Sequence, residues 1–315
     1  MLKTLLIIGI ILISLFLLWF IACFLVWIAI FHHKGNPKLK DNIYDTNLNF
    51  NNTHDRIMPL INEMLNDPHK DVWIKAKDRT KLHGIIYEWG DKDAPLAICF
   101  HGYRGNKFRD FAGGYQILKS LKYNILLIDE RAHGESGGNT ITFGAKESKD
   151  LLEWVSFAIK EFGDNVKITL QGISMGAATV LIAATKYNLP ENVYSISLDC
   201  PFSDPIDQFV FSMRNTKVPK FLTKALTSCA LFFFGHVCIH NYSAKKNIKR
   251  LDRPTLLIHG DNDSIVNVEF SKEIAKGNSL IQLEIYPGAE HGYSYFQDNR
   301  RYINTAIEFA RKYEK

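Results

Sequence analysis

Three residues of this 315-residue chain have the types and order to do chemistry together: a serine, an aspartate and a histidine. Ser174 lies in "LQGISMGAAT" (170–179), after the apolar run "VKITLQ" and before a segment of helical character. A serine hydroxyl is a weak nucleophile until a base takes its proton, and that base must be oriented by a carboxylate. Gly172 and Gly176 flank the serine two residues to either side. Small residues there let a sharp strand–turn–helix corner pack closely, which is how such a nucleophile is held. Downstream, "LLIHGDND" supplies Asp263 and "YPGAEHGYS" supplies His291, each just after an apolar run. Serine, acid, histidine is the chain order that this kind of corner requires. Asp261 competes for the acid role. It follows Gly260 directly, where a turn or cap is the natural use, so Asp263 is the expected acid.

Attack on a carbonyl also needs two backbone N–H groups where negative charge develops on oxygen. One is expected from Met175, the residue after the nucleophile. The other is expected from Tyr103 in "FHGYRGN", where Gly102 gives the backbone freedom. His133 in "DERAHGES" is read as bracing a loop, His259 as structural, and His32 and His33 as residues of a membrane edge.

These side chains need elements to position them. Eight short apolar runs are read as strands: 72–76, 82–89, 96–100, 124–129, 166–171, 194–199, 255–259 and 281–286. The first two suit a hairpin at a sheet edge. The later ones are nearly continuous in Leu and Ile, as in strands buried on both faces. Helical patterns alternate with them; Leu151, Val155, Ala158 and Phe162 make one apolar stripe, ended by Gly163. This alternation predicts a mainly parallel sheet covered by helices on both sides. The 55 residues between Asp199 and Thr255 exceed an ordinary loop. Residues 202–250 are therefore expected as an inserted helical cap over the strand ends. One side of its apolar helix (221–238) is read as covering the cleft and the other as packing on neighbouring cap helices; the alternative is that part of this surface, at Phe232 and Phe233, meets the bilayer and passes an amphiphilic ester to Ser174.

Composition is that of a globular chain, with 46% hydrophobic and 23% charged residues. Thr4 to Phe31 are 28 residues without a charge. As a helix they would reach about 42 Å, more than the roughly 30 Å of bilayer hydrocarbon. A cleaved signal peptide would have a shorter apolar region and a small-residue cleavage site, and neither is found. An uncleaved anchor over 1–33 is expected, followed by a linker and short helix over 34–70, the helix near Arg56 to Leu65. Lys34, Lys38 and Lys40 against Lys3 lean towards a cytoplasmic C-terminal side, by a small margin. Net charge is +5 with scattered basic residues, which gives no sign of nucleic-acid binding. The "KKNIKR" cluster (245–250) is read as a solvated face, with anionic lipid as the alternative contact. Five cysteines without C-x-x-C spacing suggest neither a zinc site nor a disulfide framework.

Taken in order, "FHGYRGN", "IDERAHGES", "LQGISMGAAT", "DCPFSD", "PTLLIHGDND" and "YPGAEHGYSY" resemble the α/β-hydrolase superfamily. Within it they are most similar to the serine hydrolases grouped as serine aminopeptidase S33 or hydrolase 4, membrane-anchored bacterial members included. The resemblance covers about residues 72–315. It implies an α/β-hydrolase domain over 71–315 with an eight-stranded sheet, a Ser174–Asp263–His291 triad, no metal and no organic cofactor. Ala132 departs from the glycine common at that place, which should alter loop geometry more than catalysis. Fold alone does not name a substrate. The leading expectation is a membrane-anchored hydrolase of small-molecule or lipid carboxylic esters working through an acyl-serine. Aminopeptidase or thioesterase action on the same triad is the alternative, with Asp204 or Asp207 holding a substrate amine. A noncatalytic binding protein on this fold is the remaining reading.

Overall fold

The computed structural model describes residues 1–35, 54–91 and 93–314. Most of the expected linker therefore lies outside the described residues. The chain opens with helix α1 (Leu2–Val26), continued by a π-helical turn (Trp27–Phe31), and resumes with α2 (His54–Asn66). Strands β1 (Lys70–Lys75), β2 (Lys81–Tyr87) and β3 (Leu96–Phe100) lead to α3 (Lys107–Ser120). Then β4 (Asn124–Ile128), α4 (Glu147–Phe162), β5 (Ile168–Ile173), α5 (Met175–Lys186) and β6 (Val193–Asp199) alternate. An insert carries α6 (Pro205–Ser212), α7 (Lys220–Gly235) and α8 (Ala244–Asn247). The chain closes with β7 (Thr255–Gly260), α9 (Val268–Gly277), β8 (Ile281–Tyr286), α10 (Ser294–Gln297) and α11 (Asn299–Tyr313).

The strands form one sheet in the order β1-β2-β4-β3-β5-β6-β7-β8. β2 pairs antiparallel with both β1 and β4, and the remaining pairs are parallel. The apolar runs of the sequence follow from burial on two faces. Along β3, Leu96, Ile98 and Phe100 enter one core while Ala97 and Cys99 enter another, and β4 splits Leu126 and Ile128 from Ile125 and Leu127 in the same way. The first core holds α4 and α5, with Trp154 fully buried; the second holds α2 and α3. Helix α4 forms as its stripe predicts: Leu151, Val155 and Ala158 are buried, and Gly163 ends it with φ +101°.

The N-terminal helix is not a free appendage. Phe31 is fully buried and stacks edge-on to Phe143 and Phe209. Ile141 N–H donates to the Phe31 carbonyl, and Trp27 Nε1 donates to Thr140 Oγ1. By length and composition α1 with its π-helical turn, Leu2–Phe31, is able to cross a membrane. Between β6 and β7 the chain carries α6, α7 and α8, and α7 does not cover the cleft. Its Phe233 and Phe234 pack against Phe20, Phe24 and Trp27 of the N-terminal helix. None of the insert lines the cavity beside Ser174. The apolar face of α7 finds a neighbouring helix rather than the cleft.

Candidate active site

Ser174 sits at the β5–α5 junction with φ 55° and ψ −116°, a conformation that costs energy in any residue but glycine. The tight corner is possible because its flanks lack side chains. A Cβ on Gly172 would come within 2.5 Å of Ala177 Cα, and one on Gly176 would collide with the Phe100 carbonyl. The Ser174 N–H donates to the Asp199 carbonyl at 2.8 Å, which pins the corner to β6.

His291 Nε2 lies 2.8 Å from Ser174 Oγ, and its Nδ1 lies 2.7 Å from Asp263 Oδ2. A carboxylate facing Nδ1 places the proton there, so Nε2 accepts from the serine hydroxyl. Asp263 is buried, and all of its contacts are donors. Oδ1 accepts from the N–H groups of Ile265 and Val266 at 2.8 Å each, while Oδ2 also faces His259 Nε2 at 3.1 Å. Burial alone would raise its pKa; hydrogen bonds from His259 and His291 outweigh that and hold it well below the usual carboxylate range. His259 in turn accepts from Ser271 Oγ at Nδ1, because its Nε2 faces two acceptors, Asp263 and the Val266 carbonyl. Asp261 does something else: Oδ1 accepts from Gly288 N–H at 2.6 Å, bracing the loop that carries His291.

The loop after β3 comes close to the corner, with the ideal Cβ position of Gly102 only 3.3 Å from Ser174 Cβ. Gly102 N–H is taken by Asp110 Oδ2, and Arg104 N–H by His133 Nε2. Among the described residues no protein acceptor takes the N–H of Tyr103 or Met175. His133 thus braces the loop. Burial holds its pKa well below the usual value, which keeps Nε2 an acceptor. Ala132, with φ 63°, occupies the left-handed conformation for which glycine is suited, so the departure is absorbed as local backbone strain. A cavity of about 100 Å³ adjoins the serine, lined by Tyr103, Gln171, Asp199, His291, Tyr295 and others.

Three contacts go beyond the sequence reading. Cys200 Sγ lies 3.9 Å from His291 Nε2. The Asp199 carboxyl lines the cavity and is raised by burial to about 6, with Tyr302 Oη donating to it at 3.2 Å. The last turn of the N-terminal apolar segment reaches the loop after β3, where Arg104 Nη2 donates to the Ala29 carbonyl at 3.0 Å. Only the "DC" at 199–200, at the end of a strand on the edge that carries Ser174, offered a signal in the sequence. Ligand atoms of Cys200, Asp263 and His291 lie within 4.8 Å of one another. Both nitrogens of His291 and both oxygens of Asp263 are already engaged, so the set does not suit a resident metal.

Comparison with known proteins agrees with this architecture. Residues 95–224 match a family model described as alpha/beta hydrolase fold, and residues 221–313 match one described as the dienelactone hydrolase family. The chain is 29% identical over 227 residues to the uncharacterized protein YqkD of Bacillus subtilis, covering 71% of this chain and 73% of that one. It is 22% identical over 200 residues to the lysophosphatidylserine lipase ABHD12 of Danio rerio, covering 59% of this chain and 49% of that one. Among solved structures, the Pyrococcus furiosus esterase Pf2001 superposes with a TM-score of 0.63 at 24% identity, over 80% of this chain and 93% of that one. Est1E from Butyrivibrio proteoclasticus, solved with ferulic acid, gives 0.62 at 20% identity over 77% and 98%. Sheet order, corner geometry and the matched model together give the chain the α/β-hydrolase fold.

Proposed function

We propose that the protein is a serine hydrolase of carboxylic esters, held at a membrane by its N-terminal apolar helix. The observation that carries this reading is the unbroken hydrogen-bond chain from Asp263 through His291 to Ser174. Ser174 Oγ attacks the ester carbonyl carbon while its proton passes to His291 Nε2. The carbonyl oxygen, now negative, is held by the N–H groups of Tyr103 and Met175. Collapse breaks the bond to the alcohol, which leaves with the proton from His291, and Ser174 keeps the acyl group. Water then attacks the acyl-serine, again giving a proton to His291, and the acid is released as Ser174 recovers its hydrogen. Asp263 orients the ring and offsets its positive charge in both halves.

Esters are favoured over aminoacyl amides because the acids that would hold a substrate amine are occupied. Asp204 caps α6, accepting from Ile206 and Asp207 N–H, and Asp207 lies 3.4 Å from Lys245 Nζ. Similarity to esterases and to a lysophospholipid lipase points the same way. A panel of p-nitrophenyl esters of increasing chain length, run beside aminoacyl amides, tests the reading. Turnover of the amides in preference to every ester would replace it.

A further inference from the structure

The insert carries a charge pattern unlike the rest of the chain. Between Asp207 and Asp252 there are eight basic side chains and no acidic one. Taking those eight from the chain's 38 leaves 30 basic residues against 33 acidic. Four of the eight, Arg214, Lys217, Lys220 and Lys224, lie at or just before the start of α7. Lys217, Lys220 and Lys224 are exposed, and no carboxylate among the described residues is within ion-pair distance of them. Further along the exposed side of α7 stand two large apolar residues, Phe221 at 74% and Phe232 at 60% exposure. Phe221, Lys224, Ser228 and Phe232 recur at helical spacing and so form one stripe. Lysines with no acid nearby are drawn to anionic lipid headgroups, and exposed aromatic residues beside them suit the boundary between headgroups and acyl chains.

The place where α7 meets α1 fits that depth. Its aromatic contacts fall on Phe20, Phe24 and Trp27, the last turns of the N-terminal apolar segment. Residues 2–18 are exposed apart from the half-buried Gly9; their 17 positions span about 26 Å as a helix, close to the hydrocarbon thickness of a bilayer. The crossing thus falls where hydrocarbon would give way to headgroups. We propose that α7 lies in the headgroup layer of an anionic bilayer, with Phe221 and Phe232 among the upper acyl carbons and Lys217, Lys220 and Lys224 on lipid phosphates. This rests on the reading of α1 as a membrane span, and it assigns the domain a second membrane contact.

The test uses the full chain in nanodiscs containing phosphatidylglycerol, which leave both faces open to a polar maleimide. Phe221→Cys, Phe232→Cys and Ile11→Cys are made singly, and modification is followed per peptide by mass spectrometry. The exposed native Cys238 is the internal reference. All three introduced cysteines should react at least roughly tenfold more slowly than Cys238. Lys217→Glu, Lys220→Glu and Lys224→Glu, combined, should speed modification at position 232 and leave position 11 slow. Slow reaction at 11 with fast reaction at 221 and 232 overturns the proposal and spares the span. Fast reaction at all three overturns both. Protection at 232 accompanied by disulfide-linked dimers would assign the face to a second copy of the chain, and the lipid proposal would fall.

Discussion

The Tyr103 hydroxyl donates a 2.7 Å hydrogen bond to the backbone carbonyl of Ile30. One partner belongs to the loop beside Ser174, the other to the last turn of the N-terminal apolar segment. Arg104 strengthens the tie through the Ala29 carbonyl, and His33 Nδ1 lies 2.6 Å from the Ala132 carbonyl on the loop after β4. Tyr103→Phe keeps the ring against Phe143 and removes only the hydroxyl. It should cost about 1 kcal/mol of stability. If the loop supplies an oxyanion donor, kcat on a soluble ester should fall severalfold while KM changes little. A changed KM at constant kcat would separate this tie from the chemistry.

Ser174→Ala should abolish labelling by a fluorophosphonate probe and lower kcat by about 10⁴ or more. Retained labelling at wild-type intensity would exclude Ser174 as the nucleophile.

Asp263→Asn should leave the fold intact and reduce kcat by about 10⁴, since the tautomer and orientation of His291 depend on it. Asp261→Asn removes no contact to His291 and should cost far less. Kinetics of the two variants side by side decide the assignment, and a reversed order would move the acid role to Asp261.

The raised pKa of Asp199 makes a pH prediction for stability. Its carboxyl titrates near 6 in the native protein against an ordinary value of 3.8, so between these values the native state holds the proton that the unfolded state has lost. Stability from this group is greatest below about pH 4 and declines as pH rises to about 6, by about 1–3 kcal/mol in all. Asp199→Asn keeps an acceptor for Tyr302 and removes the titration. Its stability relative to wild type, followed by thermal unfolding, should therefore improve from pH 4 to pH 7. A constant difference across that range would show that Asp199 does not titrate there.

Gly176→Ala should destabilise the protein by about 2–3 kcal/mol, because a methyl there meets backbone atoms of Phe100 and His101 that cannot step aside. Urea titration measures it, and a loss under about 0.5 kcal/mol would mean that the corner relaxes.

The strands were legible because the central ones are buried on both faces, which writes them as unbroken apolar runs. Ser174, Asp263 and His291 were legible because each follows such a run at the same sheet edge. Contacts made at a distance left no such trace. Nothing in the residues around His259 says that it shares Asp263 with His291, and nothing in "WIAIFHH" says that it will clamp two loops lying 72 to 113 residues away. For helix α7 two coverings stayed open, the cleft and the bilayer, because periodicity reports how apolar a face is and not what will cover it. Phe233 and Phe234 turn to α1, while Phe221 and Phe232 face outward.

The clamp at residues 27–33 also removes a hinge. A domain on a slack tether would tumble independently of its anchor. Here the helix ends inside the core of the domain, at the fully buried Phe31. If α1 spans a bilayer as proposed, it acts as a rigid lever: any change in its tilt swings the domain through the same angle. Apolar helices tilt to match the thickness of the membrane around them. Lipid composition would then set which way the mouth above Ser174 faces, before any substrate is bound.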